Sequence, residues 1–265
     1  MAIDNKYSEI EEVITFIHRN IDDPLTLSKL ANHVSYSPYH FSRIFKAKTG
    51  LSPLYYVSSI RLQKAKDLLL RTDLTVRDIG LEIGQQSLGT FTTRFTERVG
   101  MTPAYFRASV TQADDKLVSL QKLKEWSLPL FKGTQFTDMT GTVTTSEPFQ
   151  GVILIGLFPK PIPEGMPLYG TLIATVGDFY LTNVKPGRYY LMATSVPWGS
   201  KAIDFLLPHK TLRTRSKNPI NVKPFSPIPH QDVKLYPPRI DDPPILISLP
   251  VLMNNFLERL PNNSN

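Results

Sequence analysis

The stretch LTLSKLANHVSYSPYHFSRIFKAKTGLSP (residues 25–53) decides the fold of the first half of this chain, because it is written twice. Its second copy lies in VRDIGLEIGQQSLGTFTTRFTERVGMTPAYFR (76–107). Thr26 matches Thr75, and Leu27, Leu30 and Val34 match Val76, Ile79 and Ile83 at an offset of 49. Ala31 matches Gly80, a small residue where two helices can touch. One inserted residue later the offset is 50: Phe41 matches Phe91, Phe45 matches Phe95, Gly50 matches Gly100, Pro53 matches Pro103 and Tyr56 matches Phe106. Each copy opens on a threonine suited to cap a helix and closes on Gly-x-[ST]-Pro, a helix stop. Between these signals lie a short helix, a tight turn and a second helix. That is a helix-turn-helix arrangement, duplicated.

Working outward, LYYVSSIRLQKAKDLLLR (54–71) carries one long helical pattern joining the copies. Upstream, Ser8 and Glu11 have capping-box spacing, and Ile10, Val13, Ile14 and Ile17 recur at helical intervals. These predict an amphipathic helix over 9–20, ended by Asp22-Asp23-Pro24. Ser37 as N-cap and Pro38 at the first helical position open the second helix of copy one, residues 38–48. Its counterpart in copy two runs from Leu88 to Arg98.

Residues 8–107 resemble the DNA-binding domain of the AraC/XylS family of bacterial transcription regulators. The resemblance rests on the two quoted stretches and on RLQKAKDLL (61–69) between them. It implies a seven-helix domain whose two recognition helices enter successive major grooves on one face of DNA. One departure is Gly84-Gln85, where the family commonly has Gly-Phe; Gln86 and Ser87 follow where an N-cap is expected.

The residues expected to read bases follow from the apolar stripe. In copy one Phe41, Ile44 and Phe45 form that stripe, while Tyr39, Ser42, Arg43 and Lys46 lie away from it. Arg43 has the fork to pair with guanine O6 and N7, and Tyr39 suits a thymine methyl or a phosphate. The resemblance also implies that Tyr39, Ser42 and Arg43 face bases. In copy two the outward residues are Leu88, Gly89, Thr90, Thr92 and Thr93, with Thr93 matching Arg43 by resemblance. Threonine offers one hydroxyl and a methyl, so this helix should discriminate less. Lys46, Lys48, Arg94 and Arg98 are expected to neutralise phosphates, with Arg61 and Lys64 as further candidates. Each reads equally as an ordinary solvated charge. His18, His33 and His40 have no metal-ligand spacing and read as surface or capping side chains.

The chain has 265 residues, a formal charge of +7 and no cysteine. The charge favours a polyanionic partner. Lack of cysteine excludes disulfides, thiolate metal sites and a cysteine nucleophile. The start, MAIDNKYSEIEEV, has no apolar core of a signal peptide, and the apolar runs at 151–158 and 244–253 are too short to span a membrane. Of 23 prolines, only Pro24, Pro38, Pro53 and Pro103 precede residue 112. Proline breaks helices and central strands, so the two halves are expected to differ in class.

After residue 138 the pattern is β. Candidate strands are 140–147, 151–158, 167–175, 178–184, 188–196, 232–238 and 244–250, which suggests an antiparallel sandwich. GDFYLTNVKPGRYYLMA (177–193) resembles the transthyretin-like or carboxypeptidase-regulatory-like sandwich. Residues 251–260 are expected to add a short helix. Residues 111–137, with Leu117, Leu120 and Leu123, read as a linker with one helix or an extended segment. His209, His230, Asp178 and Asp241-Asp242 fall in no catalytic motif, and both acidic sites read as turns. Tyr169, Tyr180, Tyr189, Tyr190, Trp198 and Phe205 read as core rather than as a ligand pocket.

The expectation is thus a multidomain protein, α then β: residues 1–112 a DNA-binding domain, 113–137 a linker, 138–265 a β-sandwich for effector, dimerisation or partner binding. This reverses the commoner layout of the resembling family, in which the DNA domain comes last. The chain is expected to be a cytoplasmic transcription activator that binds double-stranded DNA, not an enzyme, with no cofactor, metal or membrane. RNA polymerase and a small-molecule effector are its further candidate partners. The rival readings are a protein-interaction scaffold whose helix-turn-helix copies no longer read DNA, and a β-domain enzyme on a DNA tether.

Overall fold

The computed structural model describes residues 2–85, 87–121 and 137–257. The chain divides into two compact units. The first comprises Met1–Arg107 together with Arg239–Leu246; the second comprises Ala108–Pro238 and Ile247–Asn265. The division differs from a continuous 138–265 domain, because residues 239–246 belong with the helices.

The first unit holds α1 (Ala2–Arg19), α2 (Leu27–His33), α3 (Pro38–Thr49), α4 (Pro53–Arg71), α5 (Val76–Glu82), α6 (Leu88–Val99) and all but the last residue of α7 (Pro103–Ala108). Helix α1 begins well before Ser8, so Ser8 lies inside the helix and the expected capping box does not form. The other caps form in matched pairs. Thr26 and Thr75 each accept from the backbone N–H three residues on, at 3.1 Å in both copies. Ser37 accepts from His40 N at 3.3 Å, and Ser87 from Thr90 N at 3.4 Å. Gly50 (φ 80°) and Gly100 (φ 89°) end α3 and α6 in the left-handed conformation that glycine adopts without a Cβ clash. The turns repeat as well. Tyr36 N–H donates to Ala31 O at 3.0 Å, and its counterpart Gln85 N–H donates to Gly80 O at 2.8 Å.

Each copy closes on an aromatic stack. Ring centroids lie 5.5 Å apart for Phe41–Phe45 and 5.4 Å for Phe45–Tyr56. In copy two they are 5.7 Å for Phe91–Phe95 and 5.8 Å for Phe95–Phe106. All six rings are fully buried, and Ile10, Val13, Ile14 and Ile17 bury the inner face of α1.

The second unit begins with α8 (Val110–Gln121). The rest of the expected linker, from residue 122 to 136, lies outside the described residues, Leu123 included. Among the described residues eight strands follow: β1 (Met139–Thr145), β2 (Gly151–Phe158), β3 (Tyr169–Ile173), β4 (Gly177–Leu181), β5 (Gly187–Pro197), β6 (Arg213–Arg215), β7 (Ile220–Val222) and β8 (Gln231–Leu235). Helix α9 (Ala202–Leu206) lies between β5 and β6, and α10 (Leu249–Leu257) follows β8. One sheet has the order β4-β1-β8 and the other β3-β2-β5-β6, with β7 also on β5. All pairs are antiparallel except β1–β8. Alternation along the strands sends Val143, Phe179, Leu181, Val233 and Leu235 of one sheet into one cluster with Ile153, Ile155, Leu157, Leu191 and Ala193 of the other. The Lys185-Pro186-Gly187 turn joins β4 to β5 across the two sheets rather than within one.

Two expectations in this half do not hold. Residues 244–250 form no strand, because Pro243 and Pro244 lack N–H donors and α10 starts at Leu249. Asp178 sits in β4, not in a turn, and its carboxylate accepts from Thr142 Oγ1 at 2.6 Å. The expected terminal helix does form, starting two residues before residue 251; its expected end, 258–260, lies outside the described residues. Among the aromatics, Tyr189 and Phe205 are core, as read, whereas Tyr169, Tyr180, Tyr190 and Trp198 are half-buried.

Candidate nucleic-acid interface

Helix α3 turns Phe41 and Phe45 inward, so residues at i, i+3, i+4 and i+7 from Tyr39 come to the other side. These are Tyr39, Ser42, Arg43 and Lys46. Tyr39 is 82% exposed. Arg43 and Lys46 are exposed, Ser42 is half-buried, and α3 carries no carboxylate. The face is therefore cationic, with one aromatic ring at its N-terminal end.

Helix α6 repeats the geometry with different chemistry. Phe91 and Phe95 point in, and Leu88, Gly89, Thr90 and Thr93 are exposed, with Thr92 half-buried. Arg94 is exposed and donates to Gln85 Oε1 at 3.4 Å. Gln85 stands where Tyr36 stands in copy one, and Tyr36 instead donates from its hydroxyl to Glu9. The departure from Gly-Phe thus supplies a partner for Arg94. Sequence reasoning missed this link, although the alignment of Gln85 with Tyr36 held the signal. Gln86, the other expected cap candidate, lies outside the described residues, and Ser87 takes the cap.

The expected phosphate contacts divide. Lys46 and Arg94 stand at the surface. Arg98 does not: it is 8% exposed, donates from Nη1 to Ser58 Oγ at 3.0 Å and from Nη2 to Ser59 Oγ, and lies 4.5 Å from the Tyr55 ring centroid. It ties α6 to α4, and its expected phosphate role is corrected to a structural one. Lys48 Nζ pairs with Glu11 Oε1 at 3.1 Å with little of its side chain exposed, which ties α3 to α1 and leaves it poorly placed for a phosphate. Arg61 donates to the carbonyls of Ile21 and Asp23 at 3.1 and 2.8 Å, and Lys64 pairs with Asp22. Burial lowers the Arg61 pKa, with Asp22 opposing. Both residues hold the loop between α1 and α2. His33 stacks on Phe16 with centroids 4.2 Å apart and pairs with Glu12 at 3.3 Å. Among the described residues no cluster of His, Asp and Glu could hold a metal ion, and no helix is long and apolar enough to cross a membrane.

A family profile described as "Helix-turn-helix domain" matches residues 30–109, which spans both copies. An uncharacterised HTH-type transcriptional regulator, YobQ of Bacillus subtilis (strain 168), is 37% identical over 94 residues, covering 36% of this chain and 39% of that protein. The HTH-type transcriptional activator AarP of Providencia stuartii is 32% identical over 111 residues, 42% of this chain and 82% of that one. A solved AraC-type transcriptional regulator from Chromobacterium violaceum is 28% identical and covers 40% of this chain and 95% of that one, with a TM-score of 0.38. The chain belongs to the AraC family of helix-turn-helix transcription regulators. It spans less than half the length of the first two curated relatives it matches.

Proposed function

We propose that this chain is a sequence-specific regulator of transcription that binds double-stranded DNA with α3 and α6 in successive major grooves. The observation that carries the reading is the duplication itself. Two copies with matched caps, turns and aromatic stacks each turn a face outward, Tyr39–Lys46 in one and Leu88–Thr93 in the other. In this reading Tyr39, Ser42 and Arg43 read one half-site; Leu88, Gly89, Thr90, Thr92 and Thr93 approach the other; and Lys46 and Arg94 meet phosphates. Regulation is by activation, with RNA polymerase as partner, in the cytoplasm. The β unit, of transthyretin-like build, senses a small-molecule effector or binds a protein partner. No catalytic role is assigned to it.

The test is selection of bound sequences from a random duplex library, followed by gel shifts across a salt series. The expected result is an enriched motif whose affinity falls steeply with salt, as phosphate contact by cations requires. Absence of binding at every salt concentration would overturn the reading in favour of a protein-interaction scaffold.

A further inference from the structure

The segment Arg239–Leu246 belongs to the helical unit, although its neighbours on both sides, Pro238 and Ile247, belong to the β unit. It starts as a closed turn: Arg239 N–H donates to Asp242 Oδ2 at 2.9 Å, and Asp242 N–H donates to Arg239 O at 3.1 Å. Pro243 and Pro244 follow, which fix φ and keep the segment stiff. Leu246 is fully buried, and Asp241 and Ile245 are nearly so.

The segment is fastened to α4 at two points. The Tyr56 hydroxyl donates to Ile240 O at 3.4 Å. About 15 Å further along the helix, Lys66 Nζ donates to Ile245 O at 3.1 Å and to Leu246 O at 3.2 Å. Tyr56 is the last ring of the aromatic stack of copy one. Lys66 Nζ lies 5.4 Å from the centroid of Phe106, the last ring of copy two. One end of the segment therefore sits at the root of each helix-turn-helix copy. Lys66 is 1% exposed. A buried ammonium is costly unless its donors are used, and here backbone carbonyls of the segment use them.

We propose that residues 239–246 are a splint: fastened to α4 at the root of both copies, they hold the angle between α3 and α6. Eight residues tied at two points resist bending of α4 between them. The splint is continuous in sequence with the β unit at Pro238 and at Ile247. The device concerns the geometry of the helical unit and is testable without DNA, so its failure and the failure of the DNA-binding reading are separate outcomes.

The chain has no cysteine, so an Asn32→Cys, Glu82→Cys pair gives spin labels at exposed sites on α2 and α5 with no background. Distances between the labels are measured by pulsed dipolar spectroscopy on the full chain. They are measured in the labelled parent, in a variant with residues 240–246 replaced by a Gly-Ser run of equal length, and in Lys66→Met. Methionine keeps an unbranched apolar stem but donates no hydrogen bond. The expected result is one narrow distribution in the parent, about twofold broader in the Gly-Ser variant, and intermediate in Lys66→Met, with helical circular dichroism retained. A distribution as narrow in the Gly-Ser variant as in the parent overturns the proposal. If the Gly-Ser variant loses its helices, an unchanged width in Lys66→Met overturns it instead.

Discussion

Arg43 is exposed on α3, opposite Phe41 and Phe45, with Ser42 and Tyr39 beside it. Its guanidinium suits a guanine edge, so Arg43→Ala is expected to cost about 1–3 kcal/mol on the preferred site and to relax one base position. Binding titrations on preferred and random duplexes check this; an equal loss on both would reduce Arg43 to a phosphate contact. Arg98 carries the same charge to a different end. Its guanidinium is spent on Ser58, Ser59 and the Tyr55 ring. Arg98→Ala leaves two hydroxyls without their donor and opens a void between α6 and α4. It is expected to lower stability by about 2–3 kcal/mol, as loss of hydrogen bonds to a charged group does. The salt dependence of DNA binding should not change. Urea unfolding and a salt series separate the two effects, and a salt slope reduced by one with stability intact would return Arg98 to the interface.

At the scale of the element, α4 is the spine of the helical unit, and Lys66 is its most unusual residue. Burial pushes the Lys66 ammonium down from 10.5 to about 7, with Asp67, next along the helix, opposing. Of the charged groups on the segment packed against it, Asp242 accepts from Arg239 N, and Asp241 is buried. An unfolded chain keeps the Lys66 proton up to about 10.5, whereas the folded unit releases it near 7. Between those limits the unfolded state binds more protons, so stability rises with pH through that window and falls as pH drops towards 7. Below it both states are charged, and the cost of enclosing the ammonium is fully present. The urea midpoint of the helical unit is therefore expected to increase from neutral pH to about two units higher, and Lys66→Met should flatten that increase. Equal slopes in the two proteins would place the pH response elsewhere.

At the scale of the whole molecule, one chain carries both readers. Helix α4 has 19 residues and spans about 28 Å, against about 34 Å between successive major grooves on one face of DNA. With its flanking turns it bridges that interval, so a monomer is expected to protect an asymmetric site. Sequence preference should concentrate under α3, where Arg43 lies, and be weaker under α6, where Gly89, Thr90 and Thr93 lie. Footprinting at concentrations where the chain is monomeric checks this. A symmetric footprint that appears only with a dimer, or equal information in both half-sites, would defeat it. Lys64→Pro should abolish two-groove binding, because proline interrupts the spine and the Lys64–Asp22 pair is lost with it.

How much of this was legible in the chain follows from the range of the forces involved. Caps, turns and amphipathic stripes depend on residues within a few positions of one another. Thr26, Ser37, Gly50 and their partners Thr75, Ser87 and Gly100 therefore marked the helices of both copies from the sequence alone, as did the inward Phe41, Phe45, Phe91 and Phe95. The outward face of α3 followed, since it is what the stripe leaves over. Charge is a different matter, because a lysine or arginine reads the same on a surface as in a core. Only the tertiary structure sent Arg98 to Ser58 and Ser59, Lys48 to Glu11 and Lys66 to the carbonyls of Ile245 and Leu246. Ile245 and Leu246 lie 179 and 180 residues from Lys66 in sequence, and a backbone carbonyl has no side-chain signature by which a sequence could announce it. For the same reason PILISLP read as a strand: its short apolar run was visible, but the bonds from Lys66 of α4 to the carbonyls of Ile245 and Leu246 were not.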